Sequence, residues 1–123
     1  EQGEDGVTFG AFSLYLTPRD MAKTGQLLLQ NGRWKNQQIV DSSWIKQATT
    51  IQGTGNFSGA SYGFYFWIYP SYGGYAAEGH GGQMIFVIPE KDLVVVYTAS
   101  PYTDGDFWDE YTGYMDLIIQ SCN

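Results

Sequence analysis

Residues 75–99 read YAAEGHGGQMIFVIPEKDLVVVYTA, and this stretch decides the fold. Two runs within it, 83–88 and 93–99, are rich in β-branched and aromatic residues and are predicted to be strands. The segment 89–92 between them has the composition of a tight turn. A third, shorter strand is predicted at 75–78, ahead of a glycine-rich segment. Because both long runs are apolar at consecutive positions, both faces of their sheet should be covered, and helices are the expected cover.

Three helices are predicted around this sheet. Thr17 is a good N-cap, Pro18 suits the first helical position, and the Asn31-Gly32 pair is a good stop. Asp41 is the predicted cap of a second, shorter helix. Residues 106–121 carry apolar side chains at helical spacing and are predicted to form the third helix.

The segment between the second helix and the long strands is predicted from its composition. Residues 49–61 have no periodicity and are predicted to be a loop, whereas the aromatic-rich run 62–69 is predicted to be one strand that ends at Pro70. The order helix, helix, meander, helix predicts the α+β class, with an antiparallel sheet and flanking helices. We expect residues 1–123 to form a single domain.

Charge and cysteine content exclude several classes of function. Thirteen acidic residues against six basic ones give a formal charge of −7, which disfavours nucleic acids and anionic membranes as partners. Cys122 is the only cysteine, and the acidic residues lack the spacing of metal ligands, so neither a metal nor another cofactor is expected. No apolar run is long enough to span a bilayer.

Several motifs in order along the chain resemble the β-lactamase-like serine hydrolases. They are LYLTPRDMAK at 14–23, NGRW at 31–34, GHGGQ at 79–83 and VIPE at 87–90. The resemblance is to the branch that holds 6-aminohexanoate-dimer hydrolases and related esterases, beside class C β-lactamases and penicillin-binding proteins. It implies a partial β-lactamase/transpeptidase-like fold, of which this chain is the C-terminal portion.

The resemblance also implies a mechanism for a longer parent enzyme. A serine in a Ser-x-x-Lys motif attacks the carbonyl of a small amide or ester, and a tyrosine or serine in a second motif moves protons. Both motifs precede the region present here, so no catalytic residue is expected in this chain, which alone should be inactive. The parent is expected to be periplasmic or secreted. The alternative is a stand-alone, non-catalytic module that binds a ligand or partner.

A third motif, Lys-Thr-Gly or a variant, lies beside the nucleophile in the family and completes the oxyanion hole. Here it corresponds to one of two segments. In residues 80–82 the oxyanion donor would be the N–H of Gln83, and in residues 77–79 it would be the N–H of His80. We favour the second register, because it keeps a hairpin turn ahead of the apolar strand 83–88. The family's usual lysine is missing in both, which favours the amidase and esterase branch. The expected substrate and oxyanion wall comprises Gly79, His80, Gly81, Gly82 and Gln83.

Two other patterns are interpreted as structural. Residues 43–46 spell Ser-x-x-Lys, but the solvated pattern around them predicts the exposed face of a short helix and not a nucleophile. His80 is expected to line the site and not to act as a general base, since no motif places a serine or acidic partner beside it. Tyrosines and a tryptophan between 65 and 75 are candidates for a substrate groove, although packing of the sheet explains them equally well, and for Trp67 we favour packing.

The isolated chain is also expected to self-associate. The strand at 93–99 carries few charges that would prevent pairing with another copy.

Overall fold

The computed structural model describes residues 3, 6–7, 14–54, 61–100 and 107–122, with only the backbone for 107–110. The helices are α1 (Pro18–Leu29), α2 (Ser42–Ala48) and α3 (Phe107–Ser121), and Pro89–Lys91 forms a short 3-10 helix. The strands are β1 (Arg33–Trp34), β2 (Gln37–Gln38), β3 (Gly53–Thr54), β4 (Ser61–Tyr62), β5 (Trp67–Tyr69), β6 (Gly74–Gly79), β7 (Gln83–Ile88) and β8 (Leu93–Tyr97).

Strands β3 to β8 form one six-stranded sheet in which each strand lies beside its neighbour in sequence. All five pairings are antiparallel, so the chain meanders from one edge to the other. Strands β1 and β2 form a separate hairpin between α1 and α2. The predicted α+β fold, an antiparallel sheet with flanking helices, is confirmed.

The sheet is covered on both faces, as the consecutive apolar residues predicted. On one face Phe86 and Met84 of β7 pack with Tyr111 and Met115 of α3. On the other face Val87 of β7 belongs to a second cluster, which also contains Leu28 of α1, Ile45 of α2 and Tyr75 of β6. Successive residues of a strand point to opposite faces, so one strand supplies both clusters.

Helix α1 begins as its sequence predicts. The Thr17 hydroxyl oxygen accepts a hydrogen bond from the Asp20 N–H at 3.2 Å, and Pro18 occupies the first turn. At the other end, Asn31 and Gly32 have φ angles of 52° and 80°, the left-handed conformation that stops a helix. Gly25 faces the sheet, where a Cβ atom would lie 2.4 Å from Val94 Cγ1.

Two sequence predictions between α1 and β6 are wrong. Residues 62–69 are not one strand, because a tight turn separates β4 from β5: the Gly63 N–H bonds the Phe66 carbonyl at 2.8 Å, and Tyr65 has a φ of 65°. Residues 49–61 are not all loop, because Gly53–Thr54 pairs with β4. Strand β3 is exposed, so no apolar alternation marks it in the sequence.

The close approach of α1 to β8 gives a stability prediction. We expect Gly25→Ala to lower the free energy of unfolding by about 1–2 kcal/mol, since the overpacking against Val94 outweighs the gain in helix propensity. Gly113→Ala in α3 is the matched control: nothing lies within 4 Å of its added Cβ, so the same change should stabilise the chain by up to about 1 kcal/mol. Urea unfolding of both variants measures this, and two values of the same sign would contradict the packing argument.

The position of β8 gives a second prediction. Among the described strands β8 pairs only with β7, so we propose that its other edge pairs with β8 of a second copy. Val96→Lys should weaken association by placing a charge on this edge, whereas the near-isosteric Val96→Thr should not. Light scattering over a concentration series decides: a mass constant at 13.8 kDa for the unmodified chain would refute the proposal.

Candidate functional site

The hairpin of β6 and β7 ends in a short glycine turn. Gly79 and Gln83 are the last paired residues, and residues 80–82 form the turn. Gly81 and Gly82 both have a φ of 79°, a conformation that side chains with a Cβ rarely adopt. Residues 77–79 lie on β6 and residues 80–82 lie in the turn, and the register of the third motif stays a prediction.

A small network holds this turn against the end of β8. The Gln83 side-chain amide donates hydrogen bonds to the Gly81 carbonyl, at 3.0 Å, and to the Ala99 carbonyl. The Ala99 N–H in turn donates to the Gly82 carbonyl at 3.1 Å. Gln83 therefore acts as a clamp that fixes the turn on the sheet, a role that the sequence motif alone did not reveal.

One edge of β6 is open beside the turn. Strand β5 pairs with β6 only as far as Ala76, which lies opposite Trp67. In the described part of the chain, residues 77–79 consequently have a strand partner on one side, β7, and none on the other. Backbone N–H and C=O groups on such an edge are able to bind an extended polar ligand.

A cleft of about 490 Å³ lies over the α1 face of the β6–β7 hairpin, and we call it the hairpin cleft. Ala77, Glu78, Gly79 and His80 line one side of it, with Gln83 and Ile85 of β7. Of the five predicted wall residues, Gly79, His80 and Gln83 line the cleft, whereas Gly81 and Gly82 shape the turn behind it.

The opposite wall is a segment that sequence reasoning missed. Leu14, Tyr15 and Leu16, just before α1, line the cleft together with Met21. Tyr15 is 87% exposed and Leu14 is 53% exposed, so this wall offers apolar surface to a ligand. The available signal was the run of apolar residues directly ahead of the Thr17 cap.

The lining of the hairpin cleft limits its chemistry. Among the described residues that line it there is no serine, threonine, cysteine or lysine, and its titratable side chains are Tyr15, Glu78 and His80. The described lining therefore lacks the side chains that most often form acyl intermediates.

Glu78 is a half-buried carboxyl at the base of this wall. Burial raises its pKa, and a hydrogen bond donated by the Tyr69 hydroxyl acts in the opposite direction without cancelling the effect. Burial also raises the pKa of Tyr69 and of nearby Tyr111, so both phenols stay neutral. Glu78 is thus surrounded by neutral hydroxyl groups.

The aromatic residues between 65 and 75 pack on the sheet. Trp67 meets Tyr62 edge to face with ring centroids 4.8 Å apart, and Tyr75 meets Phe66 at 5.7 Å. Tyr69 and Tyr72 both contact Phe86. Tyr65 is 82% exposed but does not line the hairpin cleft. The packing interpretation is confirmed for Trp67.

Residues 43–46 form part of α2 on the surface. Ser43 and Lys46 are both exposed, and the Ser43 hydroxyl donates to the carboxylate of Asp41, the helix cap. The prediction of an exposed helix face is confirmed, and this serine lies outside the hairpin cleft.

The described residues contain no group of three or more His, Cys, Asp or Glu side chains placed to hold a metal ion. None of the helices described is long and apolar enough to cross a membrane.

The environment of Glu78 gives a pH prediction. The unfolded carboxyl ionises around its ordinary value of 4.5, whereas the folded one stays protonated to higher pH, so its contribution to stability falls as the pH rises above 4.5. Glu78→Gln removes this titration and keeps an acceptor for Tyr69. Relative to the unmodified chain, the variant should therefore gain stability between about pH 4 and about pH 7.

Urea unfolding at a series of pH values measures this difference. Glu90→Gln, which removes one exposed carboxyl, is the matched control for the loss of a negative charge. If the Glu78→Gln difference does not grow with pH beyond that of the control, the carboxyl is not buried as described.

Comparisons with known proteins agree with the fold described above. A solved structure from Bacillus anthracis, provisionally named 6-aminohexanoate-dimer hydrolase, superposes with a TM-score of 0.78 at 28% sequence identity. The match covers 97% of this chain and 31% of that one, so the chain spans about a third of its length. A search of curated proteins finds no match. The Beta-lactamase family model matches residues 2–115, and the chain therefore belongs to the β-lactamase family.

Proposed function

We propose that this chain is the C-terminal portion of a serine hydrolase that cleaves small-molecule amides or esters, and that its β6–β7 hairpin forms one wall of the active site. The observation that carries the proposal concerns residues 77–79 of β6, which line the hairpin cleft, lack a strand partner on one side and lead into the glycine turn. Family membership and the resemblance to a hydrolase structure support the reaction class.

In this proposal the hairpin stabilises the negative charge that develops on the substrate, and it does not supply the nucleophile. The backbone N–H of His80 donates to the oxyanion that develops when a carbonyl is attacked, and the glycines beside it let the substrate approach the backbone. The clamp from Gln83 keeps that N–H in place, so little reorganisation is needed during the reaction. The serine nucleophile comes from a part of the longer protein outside the described residues.

The apolar wall has a separate task. Leu14 and Leu16 contact the non-polar part of the substrate on the side opposite the β6–β7 hairpin. Closing the cleft from this side excludes water, which strengthens the hydrogen bonds to the oxyanion.

The test separates the N–H of His80 from its side chain in the longer hydrolase. Proline at this position removes the N–H; Gly79 before it lies in a strand, the conformation that a residue before proline prefers, and His80 does not have a positive φ. We expect His80→Pro to lower kcat by about 10²–10³-fold, the usual cost of losing one oxyanion donor. The matched control His80→Ala keeps the N–H and should cost much less.

Two further readings make this test decisive. Thermal unfolding and KM report whether the proline variant keeps its fold and still binds substrate. If both single variants lose the same activity, the side chain and not the N–H carries the effect; if neither does, the hairpin is not the oxyanion wall. Turnover of a chromogenic ester by the 123-residue chain alone would contradict an external nucleophile, and tight ligand binding without any turnover in the longer protein would favour the binding-module alternative.

A further inference from the structure

A second and larger cleft lies on the same face of the sheet as α1, away from the glycine turn. Its volume is about 740 Å³, and it is bounded by the C-terminal end of α1, the β1–β2 hairpin and α2. We call it the α1–α2 cleft. It shares no lining residue with the hairpin cleft. It reaches Pro89, at the opposite end of β7 from Gln83, about 20 Å along an extended strand.

The charge of the α1–α2 cleft is opposite to that of the chain. The whole sequence has 13 acidic and six basic residues, yet the cleft is lined by Arg33 and Lys46 and by no aspartate or glutamate. Two of the six basic side chains therefore line the same cleft, and no described carboxylate lines it with them. A concave surface of one sign attracts ligands of the other sign.

Several donors on the rim of the cleft are engaged within the chain. The Gln38 amide donates to the Asn31 and Val40 carbonyls, the Ser43 hydroxyl donates to Asp41, and Thr49 and Thr50 donate to carbonyls of α2. By contrast, no described residue forms an ion pair or a side-chain hydrogen bond with Arg33 or Lys46.

The floor of the cleft is apolar. Leu28 and Ile45 belong to the core cluster on this face, and half-buried Leu29 packs beside them. Tyr75 completes the floor, and because burial raises its pKa to about 12, its hydroxyl adds no negative charge. An apolar floor with a few convergent polar groups is the usual composition of a small-molecule site.

We propose that the α1–α2 cleft binds a small organic carboxylate, whose charged end contacts Arg33 and Lys46 and whose apolar body lies over Leu29 and Tyr75. Arginine suits the role because its guanidinium holds a carboxylate through paired hydrogen bonds. The site is independent of the oxyanion wall assigned above, so its test does not depend on the hydrolase function.

The probe is 2-naphthoate, followed by ligand-observed saturation-transfer NMR at low protein concentration, where self-association is slight. We expect saturable binding of 2-naphthoate and none of the neutral, near-isosteric 2-naphthamide. Arg33→Gln and Lys46→Gln should each weaken binding about three-fold and the double variant about ten-fold, as charge-assisted contacts at an exposed site allow. Neither side chain has an ion pair or a side-chain hydrogen bond within the described chain, and both residues are exposed, so these variants should fold.

The control is Arg19→Gln, which removes the same charge from the opposite end of α1 and should change binding less than about two-fold if local contacts dominate. Inorganic phosphate should bind more weakly than 2-naphthoate, since it has no apolar body. Equal binding of the naphthoate and the naphthamide would overturn the proposal. So would a double variant with unchanged affinity, an Arg19→Gln effect as large as the others, or phosphate binding as tight as that of 2-naphthoate.

Discussion

The structure depends on the burial of β7 on both of its faces. Met84, Phe86, Val87 and Ile88 are each at most 1% exposed. Val87 points to the face that α1 and α2 cover, and the other three point to the face that α3 covers. Burying such a strand requires a helical layer on each side. Each fully buried apolar side chain stabilises the folded state by roughly 1.5–3 kcal/mol relative to an exposed one. The positions of α1, α2 and α3 relative to the sheet all follow from this one strand.

The same constraint positions the hairpin tip. The register of β7 with β6 and β8 is fixed because a slip by one residue would exchange the two buried faces. With that register set, Gln83 necessarily sits where its amide reaches both the turn and Ala99. The rigidity of the turn is therefore a consequence of core packing one strand away, and not of the glycines, which by themselves only permit the geometry.

A group of aromatic residues fills the layer between the sheet and α3. Tyr97 packs against Tyr111, and Tyr72 bridges from Phe86 to α3 by donating its hydroxyl to Asp116 at 2.9 Å. Large rings fill this layer while their hydroxyls reach polar partners at its margin. Few aromatic residues line the two clefts, which explains why aromatic content was a poor guide to the candidate sites.

The sequence by itself determined the elements whose signals are local. The Thr17 cap, the Asp41 cap, the strand 83–88 and the glycine turn were all predictable, because capping, apolar runs and left-handed glycines act over a few residues. Strand β3 and the break after β4 were not, since an exposed two-residue pairing leaves no pattern in the sequence. The tertiary structure alone shows that residues 14–16 lie across the hairpin cleft from β6 and β7 and that Arg33 lines a cleft with Lys46, because both arrangements depend on how α1 packs on the sheet.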